Sequence, residues 1–264
     1  MNDRADRLPT FYICHGAGPS FFMEWTMGPP DTYVAMGAWL RSLAATVPVK
    51  PRAIVVISGH WEEDVVAVQS AAKPSMLFDY YGFPPHTYEL KYPAPGDPAL
   101  AQRISGLLDE AGIANRLDPA RGFDHGVFVP FLLIYPDADI PIVQVSMLHG
   151  YDPQHHLDIG RALEPLRGEG VLIVGSGASF HNRRGAPESE AWDEWLFKAC
   201  TAPAEARDRH LARWTEAPYA RVAHAPEDHL IPLMVAAGAA GESAGTRIFT
   251  DGLNGRRMSA YRFG

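Results

Sequence analysis

Short β-branched runs that end in small residues constrain the fold of this chain more than any other sequence feature. Three such runs lie at residues 11–14, 54–59 and 171–174. Continuous apolar runs of this length are typical of parallel strands buried on both faces. Segments of helical character lie between them, so the sequence predicts a three-layer α/β fold. A mostly parallel central sheet would carry helices on both faces.

The predicted elements alternate along the chain without an internal repeat or a low-complexity linker. We expect strands at about residues 10–14, 53–58, 65–70, 140–147, 171–176, 246–249 and 258–263. We expect helices at about residues 33–45, 97–111, 152–166, 188–214 with a break near Pro203, and 227–240. Asp31 or Thr32 is expected to cap the first helix, and Asp97 followed by Pro98 to start the second. Residues 1–264 are expected to form a single domain.

Composition and charge argue against several functional classes. The net charge of −8 argues against nucleic-acid binding, because phosphate contact needs a basic face. No apolar run approaches the roughly 18 residues that a transmembrane helix needs, so no membrane partner is expected. The N-terminus has no signal-peptide pattern, and we therefore expect a cytoplasmic protein. Cys14 lies in a predicted buried strand and is expected to act as a small apolar side chain.

Three histidines, His15, His60 and His181, lie just past the predicted ends of the three apolar runs. In an open α/β sheet the ligand crevice lies outside the carboxyl ends of the strands. Imidazole is among the commonest metal ligands in proteins. Three imidazoles delivered to one sheet edge therefore predict a metal site there.

Two further histidines could join this site, although their spacing alone does not decide it. His229 lies in the first turn of the last predicted helix, where a surface position is the alternative. His125 lies in a loop before the apolar run 127–134, where a neighbouring carboxylate could simply hold it. His155 and His156 begin a predicted helix and are expected to face water.

The glycine- and serine-containing turns after the predicted strands do not match the catalytic motifs of other enzyme classes. Neither Ser58-Gly59-His60 nor Gly175-Ser176-Gly177 has the G-x-S-x-G arrangement of a nucleophile elbow, and the second lacks the third glycine of a dinucleotide fingerprint. The chain also lacks a phosphate-binding P-loop and an H-E-x-x-H zinc motif. The candidate chemistry therefore rests on the histidines.

Eight short motifs occur in one order over most of the chain. They are His15-Gly16, residues 58–62, 78–84, 92–96, 122–126 and 135–141, the segment from Gly175-Ser176-Gly177 to His181-Asn182, and residues 229–233. In this order they resemble the class III extradiol ring-cleavage dioxygenases, and within them the DOPA-dioxygenase-like branch.

The resemblance implies a role for each of five histidines. His15, His60 and His229 would hold a divalent metal, and His181 would stand beside it as catalytic base or as an extra ligand. His125 would be the acid/base residue that also orients the substrate. Many members of the wider class have a glutamate in place of His229, so the neighbouring Glu227 and Asp228 remain alternatives for the third ligand.

The implied reaction is cleavage of a catechol ring by dioxygen, with Fe(II) as the cofactor. Neutral imidazoles suit Fe(II), and three protein ligands leave open positions for the aromatic diol and dioxygen. Zn(II) would bind the same cluster but has no redox chemistry. A zinc-dependent hydrolase or amidase is therefore the alternative function. The sequence leaves both a monomer and a homo-oligomer open.

An aromatic-rich segment at residues 72–96 shows neither helical nor strand periodicity. Long irregular loops in compact domains are usually functional, and its many aromatic residues argue against disorder. It could form a wall of the substrate pocket or simply cover a core face. The residues expected in such a wall are Tyr80, Tyr81, Phe83 and His86. Lys91, Arg183 and Arg184 are candidates to bind a carboxylate on the substrate.

Overall fold

The computed structural model describes residues 7–182 and 187–264. The strands are β1 (Thr10–Cys14), β2 (Ala53–Glu63), β3 (Val66–Gln69), β4 (Asn115–Asp118), β5 (Ile142–Leu148), β6 (Val171–Gly177), β7 (Gly245–Leu253) and β8 (Arg256–Phe263). The helices are α1 (Val34–Leu43), α2 (Pro98–Glu110), α3 (His125–Ile134), α4 (Pro153–Leu163), α5 (Glu188–Thr201), α6 (Ala204–Ala212), α7 (Ala220–Ala223) and α8 (Ile231–Ala239).

These strands form one eight-stranded sheet in the order β4-β3-β5-β2-β6-β1-β8-β7. The four central strands, β5, β2, β6 and β1, are all parallel to one another. β3 runs antiparallel to β5, β8 runs antiparallel to β1, and β7 runs antiparallel to β8. All residues of β1 and β6 are buried, as expected for parallel strands covered on both faces. The predicted fold class, with its mostly parallel sheet, is confirmed.

Two adjacent residues of β6 show that α3 and α8 cover opposite faces of this sheet. The hydroxyl of Ser176 donates to the carbonyl of Gly126 in α3, at 2.5 Å. The preceding residue, Gly175, approaches the other helix, because a Cβ there would lie 2.2 Å from the carbonyl oxygen of Pro232 in α8. Because neighbouring strand residues point to opposite faces, the sheet lies between two helical layers.

The start of the second helix is confirmed, whereas the predicted cap of the first is wrong. The Asp97 carboxylate accepts a hydrogen bond from the backbone of Leu100 at 2.9 Å. α1 begins only at Val34 and has no side-chain cap at its start. Its candidate cap Thr32 instead donates its hydroxyl to the carbonyl of Pro29.

Three predictions about histidine positions are wrong in detail. β2 continues past the predicted end to Glu63, so His60 lies inside the strand, next to an irregularity in its pairing with β5. His125 is the first residue of α3 rather than part of a loop. α8 begins at Ile231, which places His229 in the turn before the helix. All three nevertheless stay near the carboxyl edge of the central strands.

The prediction that His156 faces water is also wrong. Its side chain is fully buried, and its Nε2 accepts a hydrogen bond from the backbone of Leu148 at 3.0 Å. Cys14 is buried and free, as its predicted role requires. None of the helices in residues 7–182 and 187–264 is long and apolar enough to cross a membrane.

Candidate metal centre

Three imidazoles converge at the carboxyl edge of the central strands. His15, His60 and His229 each offer a ring nitrogen within 4.8 Å of the other two. The Nε2 atoms of His15 and His60 lie 3.2 Å apart. Two imidazoles on one metal, each bound at about 2.1 Å, place their nitrogens about 3 Å apart. The spacing therefore suits one shared metal ion.

The tautomer of His15 is set by a serine on β6. Ser176 donates its only hydroxyl proton to the carbonyl of Gly126, so its oxygen can only accept from the Nδ1 of His15, 3.0 Å away. Nδ1 of His15 therefore carries the proton, and Nε2 keeps a free lone pair. This outer hydrogen bond is the arrangement that metal-binding histidines need.

The backbone of His229 is fixed to two neighbouring elements. Its carbonyl accepts hydrogen bonds from the hydroxyl of Tyr12 at 2.8 Å and from the backbone of Ala178 at 3.1 Å. Gly177 of β6 makes this close approach feasible, because a Cβ there would lie 2.0 Å from the same carbonyl oxygen. The turn before α8 therefore lies directly on the sheet and carries His229 to the cluster.

A buried carboxylate ties α3 to the strand that carries His60. Asp124 is fully buried and accepts hydrogen bonds from Ser58 at 2.7 Å, from Arg121 at 2.8 Å and from the amide of Gln144. Arg121 also donates to the carbonyl of His60 at 3.1 Å. A buried charge is tolerated only when it is paired in this way. The network holds the start of α3 against β2.

His125 is held by a second carboxylate, from the aromatic-rich segment. Oδ1 of Asp79 accepts from Nδ1 of His125 at 2.8 Å and from its backbone at 3.0 Å. Burial acts to raise the pKa of Asp79, but the hydrogen bonds from His125 outweigh it, so this pKa lies below its usual value. Nδ1 of His125 therefore carries a proton and Nε2 is free. The His125 ring centroid lies 3.9 Å from that of His60.

His181 lies at the outer side of the cluster. Its ring stacks on His229, with centroids 3.6 Å apart, and its Nδ1 is 3.6 Å from Asp228. Asp228 also lies 3.1 Å from Nδ1 of His229. The other candidate acid, Glu227, forms an ion pair with Arg221 at 2.8 Å. Unlike the three central rings, the His181 side chain is 42% exposed.

Burial keeps the three central imidazoles neutral. It lowers the pKa of His15 well below its ordinary value, and the neighbouring imidazoles lower it further. Burial likewise lowers the pKa of His60 to about 3 and that of His229 to about 4. Only a neutral imidazole has the lone pair that a metal needs. The cluster is thus ready to bind a cation at neutral pH.

Two of the four predicted wall residues lie near this cluster. The ring centroid of Tyr80 is 5.8 Å from that of His125, and Phe83 packs on Tyr80 at 5.5 Å. Tyr81 is 90% exposed, and the exposed His86 has its Nε2 3.0 Å from the carbonyl of Phe22. Of the predicted carboxylate-binding residues, Arg183 and Arg184 lie outside the described residues.

The acidic and hydroxyl groups that orient the histidines are not evident from residue spacing in the sequence. Ser176 and Asp79 each lie within a motif of the resemblance, but nothing in their spacing assigned them to His15 or His125. Asp228 was considered only as a replacement ligand. Its position next to His229 in sequence was the one available signal that it could contact that ring.

Comparisons with known proteins agree with this arrangement. Residues 11–263 match the family described as the catalytic LigB subunit of aromatic ring-opening dioxygenase. A protein of Beta vulgaris named 4,5-DOPA dioxygenase extradiol is 41% identical, and the match covers 96% of each chain. Dioxygenase tasH of Hapsidospora irregularis is 38% identical over 99% of this chain and 87% of its own length.

A solved structure shows the same fold. The crystal structure of protein JW3007 from Escherichia coli K12 superimposes with a TM-score of 0.77 at 30% sequence identity. The match covers 98% of this chain and all of that one. The similarity therefore extends through the whole sheet and its helical layers.

The chain belongs to the LigB family of aromatic ring-opening dioxygenases. It is an extradiol dioxygenase, a metal-dependent enzyme that opens an aromatic ring with dioxygen. The resemblance stated from the sequence motifs is thereby confirmed. The family match favours ring cleavage over the zinc-dependent hydrolase that the histidine cluster alone left open.

Proposed function

We propose that His15, His60 and His229 hold one Fe(II) ion and that the enzyme cleaves a catechol with a substituted ring. The convergence of three neutral imidazoles, with His15 and His229 buried and His60 partly buried, carries this proposal. The residues fit the ion, because the His15 lone pair lies at Nε2, the atom nearest His60. Fe(II) would supply the redox chemistry with dioxygen and favour loss of the phenolic protons.

His125 and His181 are the groups that we assign to proton transfer and substrate orientation. Asp79 holds the Nδ1 proton of His125, so Nε2 of that ring can accept a proton from a catechol hydroxyl. His181 stands at the more exposed side of His229, where it can exchange protons with solvent. The two rings thus flank the proposed ligand set.

The substrate class follows from the apolar wall and from the relatives. Tyr80 presents aromatic surface beside His125, and Phe83 packs on Tyr80, which suits a planar ring. Several relatives, including those of Beta vulgaris, Portulaca grandiflora and Escherichia coli, are named 4,5-DOPA dioxygenase extradiol. We therefore expect catechols with a polar side chain, with DOPA as the first substrate to test.

The test is an aerobic assay of protein loaded with Fe(II) in the absence of air. DOPA and simpler catechols should give a yellow semialdehyde, with one dioxygen consumed for each ring opened. Protein loaded with Zn(II) should be inactive, because zinc has no redox chemistry. Replacing His60 by Ala should abolish the reaction, whereas replacing the exposed His155 should not. Amide hydrolysis by the Zn(II) form without ring opening by the Fe(II) form would contradict the proposal.

A further inference from the structure

A cavity of about 180 Å³ lies between the short turn Ser20–Phe22 and helix α1. Its lining includes none of the histidines of the metal centre. It nevertheless adjoins the segment that follows His15, because a Cβ at Gly16 would lie 2.7 Å from Oγ of Ser20 and 3.0 Å from the ring of Phe21. The cavity is far larger than the space that one water molecule occupies.

Aromatic rings form the walls of this cavity. The ring of Tyr33 meets Phe21 edge to face, with centroids 5.7 Å apart, and meets Trp25 in the same way at 4.7 Å. All three side chains line the cavity. Edge-to-face contacts of this kind stabilise the relative positions of aromatic rings. The walls are therefore shaped before any ligand arrives and suit a flat apolar group.

One buried polar side chain of the cavity is a donor without an acceptor. Ser20 lines the cavity and is only 3% exposed. Oγ of Ser20 accepts from the backbone of Ala17 at 3.3 Å, which leaves its proton free to donate. A buried donor without a partner is costly, so its presence calls for an acceptor.

A positively charged side chain, Arg41, lines the same cavity. The guanidinium of Arg41 forms no hydrogen bond or ion pair with residues 7–182 or 187–264, and no acidic side chain of those residues lines the cavity. Burial raises the pKa of Tyr33, so its phenol is neutral. The site thus presents one positive charge, a free hydroxyl donor and no acidic side chain.

We propose that this cavity binds the carboxylate of a small aromatic acid. The ring would pack against Trp25 and Tyr33, and the carboxylate would accept from Arg41 and from the hydroxyl of Ser20. The acid could be the carboxylated side of the ring-cleavage substrate or a separate organic acid, since both present the same chemistry. Lys91, which the sequence also suggested for this role, does not line the cavity.

Calorimetric titration of the metal-loaded protein with phenylacetate tests the proposal. Wild-type protein should bind phenylacetate saturably and should not bind the neutral phenylacetamide. Arg41→Gln should weaken binding about tenfold or more, as expected for loss of a charge-assisted hydrogen bond. Ser20→Ala should also weaken it, and the control Lys91→Gln should bind like wild type. Where Ser20→Ala does not fold, Arg41→Gln decides alone, because its guanidinium forms no hydrogen bond or ion pair with the described residues.

Two results would overturn the proposal. One is the absence of saturable binding of phenylacetate by the wild-type protein. The other is equal binding by wild type, Arg41→Gln and Lys91→Gln, which would place the acid elsewhere, including on the metal. Because the titration needs no turnover, a failure of the proposed ring-cleavage reaction would not affect its outcome.

Inhibition kinetics then separate the two sources of the carboxylate, and this step alone rests on the proposed function. If the substrate's own carboxylate occupies the cavity, phenylacetate should compete with a carboxylated catechol. Arg41→Gln should then raise KM for that catechol about tenfold and leave KM for unsubstituted catechol unchanged. If a separate acid occupies it, inhibition should be noncompetitive and Arg41→Gln should leave both KM values unchanged.

Discussion

Single hydrogen bonds orient the imidazoles of this site, and the bond from His15 to Ser176 is the clearest example. Ser176→Ala removes the acceptor for the Nδ1 proton of His15, so the ring loses its fixed orientation. We expect metal affinity to fall about 10- to 100-fold, as measured by competition with a chelator. Ser42→Ala, on the exposed surface of α1, is the matched control. Equal affinity in the two variants would show that Ser176 does not orient the ligand.

Asp79 should affect turnover rather than metal binding. Asp79→Asn weakens the hydrogen bond that Nδ1 of His125 donates to residue 79. We therefore expect kcat to fall about 100-fold with little change in KM. The metal content should stay unchanged by elemental analysis. A second aspartate–histidine pair, Asp64 with His149 at 2.9 Å on the surface, supplies the control Asp64→Asn. Loss of metal from Asp79→Asn would instead make this carboxylate part of the metal site.

At the scale of elements, the site depends on how closely the turn before α8 approaches β6. In Gly177→Ala, the new Cβ would lie 2.0 Å from the carbonyl oxygen of His229, so the turn must move away from the sheet. We expect loss of most bound metal and a destabilisation of about 1–3 kcal/mol by overpacking. Unfolding and metal content of the same preparation give both quantities.

A glycine in open space provides the control for this substitution. A Cβ at Gly106 in α2 would meet nothing within 4 Å. Gly106→Ala should retain its metal and stabilise the protein by about 0.5–1 kcal/mol, because alanine favours the helix. If Gly177→Ala also retained its metal, His229 would not be held at the cluster by this contact.

The elements that the sequence predicted well are those whose signal is local. Buried strands such as β1 and β6 show uninterrupted apolar runs, and Asp97 before Pro98 marks the start of α2 by capping chemistry. The sequence did not predict β4, a short edge strand in which three of the four residues are polar. α3 lacks an amphipathic period, because all but one of its residues are buried.

The parts of the site that sequence could not supply depend on tertiary contacts. Asp79 contacts His125 across 46 residues of chain, and Ser176 contacts His15 across 161. No periodicity or spacing rule encodes such pairs. The five histidines themselves were found because sheet topology brings the ends of parallel strands to one edge and because the family motifs include them.

For the whole molecule, a buried neutral histidine away from the site links stability to pH. Burial lowers the pKa of His156 to about 4, and its Nε2 must stay unprotonated to accept from Leu148. The unfolded chain binds a proton on this residue near pH 6.5, so protons favour unfolding. Its contribution is complete above about pH 6.5 and falls by about 3 kcal/mol as the pH drops to about 4.

Chemical denaturation across this pH range tests the linkage. His156→Gln should be less stable than wild type at pH 7, because glutamine does not reproduce both the bond accepted from Leu148 and the bond that Nδ1 donates to the carbonyl of Asp152. It should nevertheless lose less stability on acidification. The exposed neighbour His155 provides the control, and His155→Gln should follow the wild-type pH dependence. Identical acid sensitivity of His156→Gln and wild type would assign the effect to other groups.

The position of the metal tests the central claim most directly. Crystals of protein loaded with Fe(II) without air should show anomalous scattering at the iron edge at a single strong site. We predict that this site lies about 2.0–2.3 Å from one ring nitrogen each of His15, His60 and His229, with Asp79 and His125 outside bonding distance. Iron bound instead between His181 and Asp228, or beyond the reach of His229, would contradict the proposed ligand set.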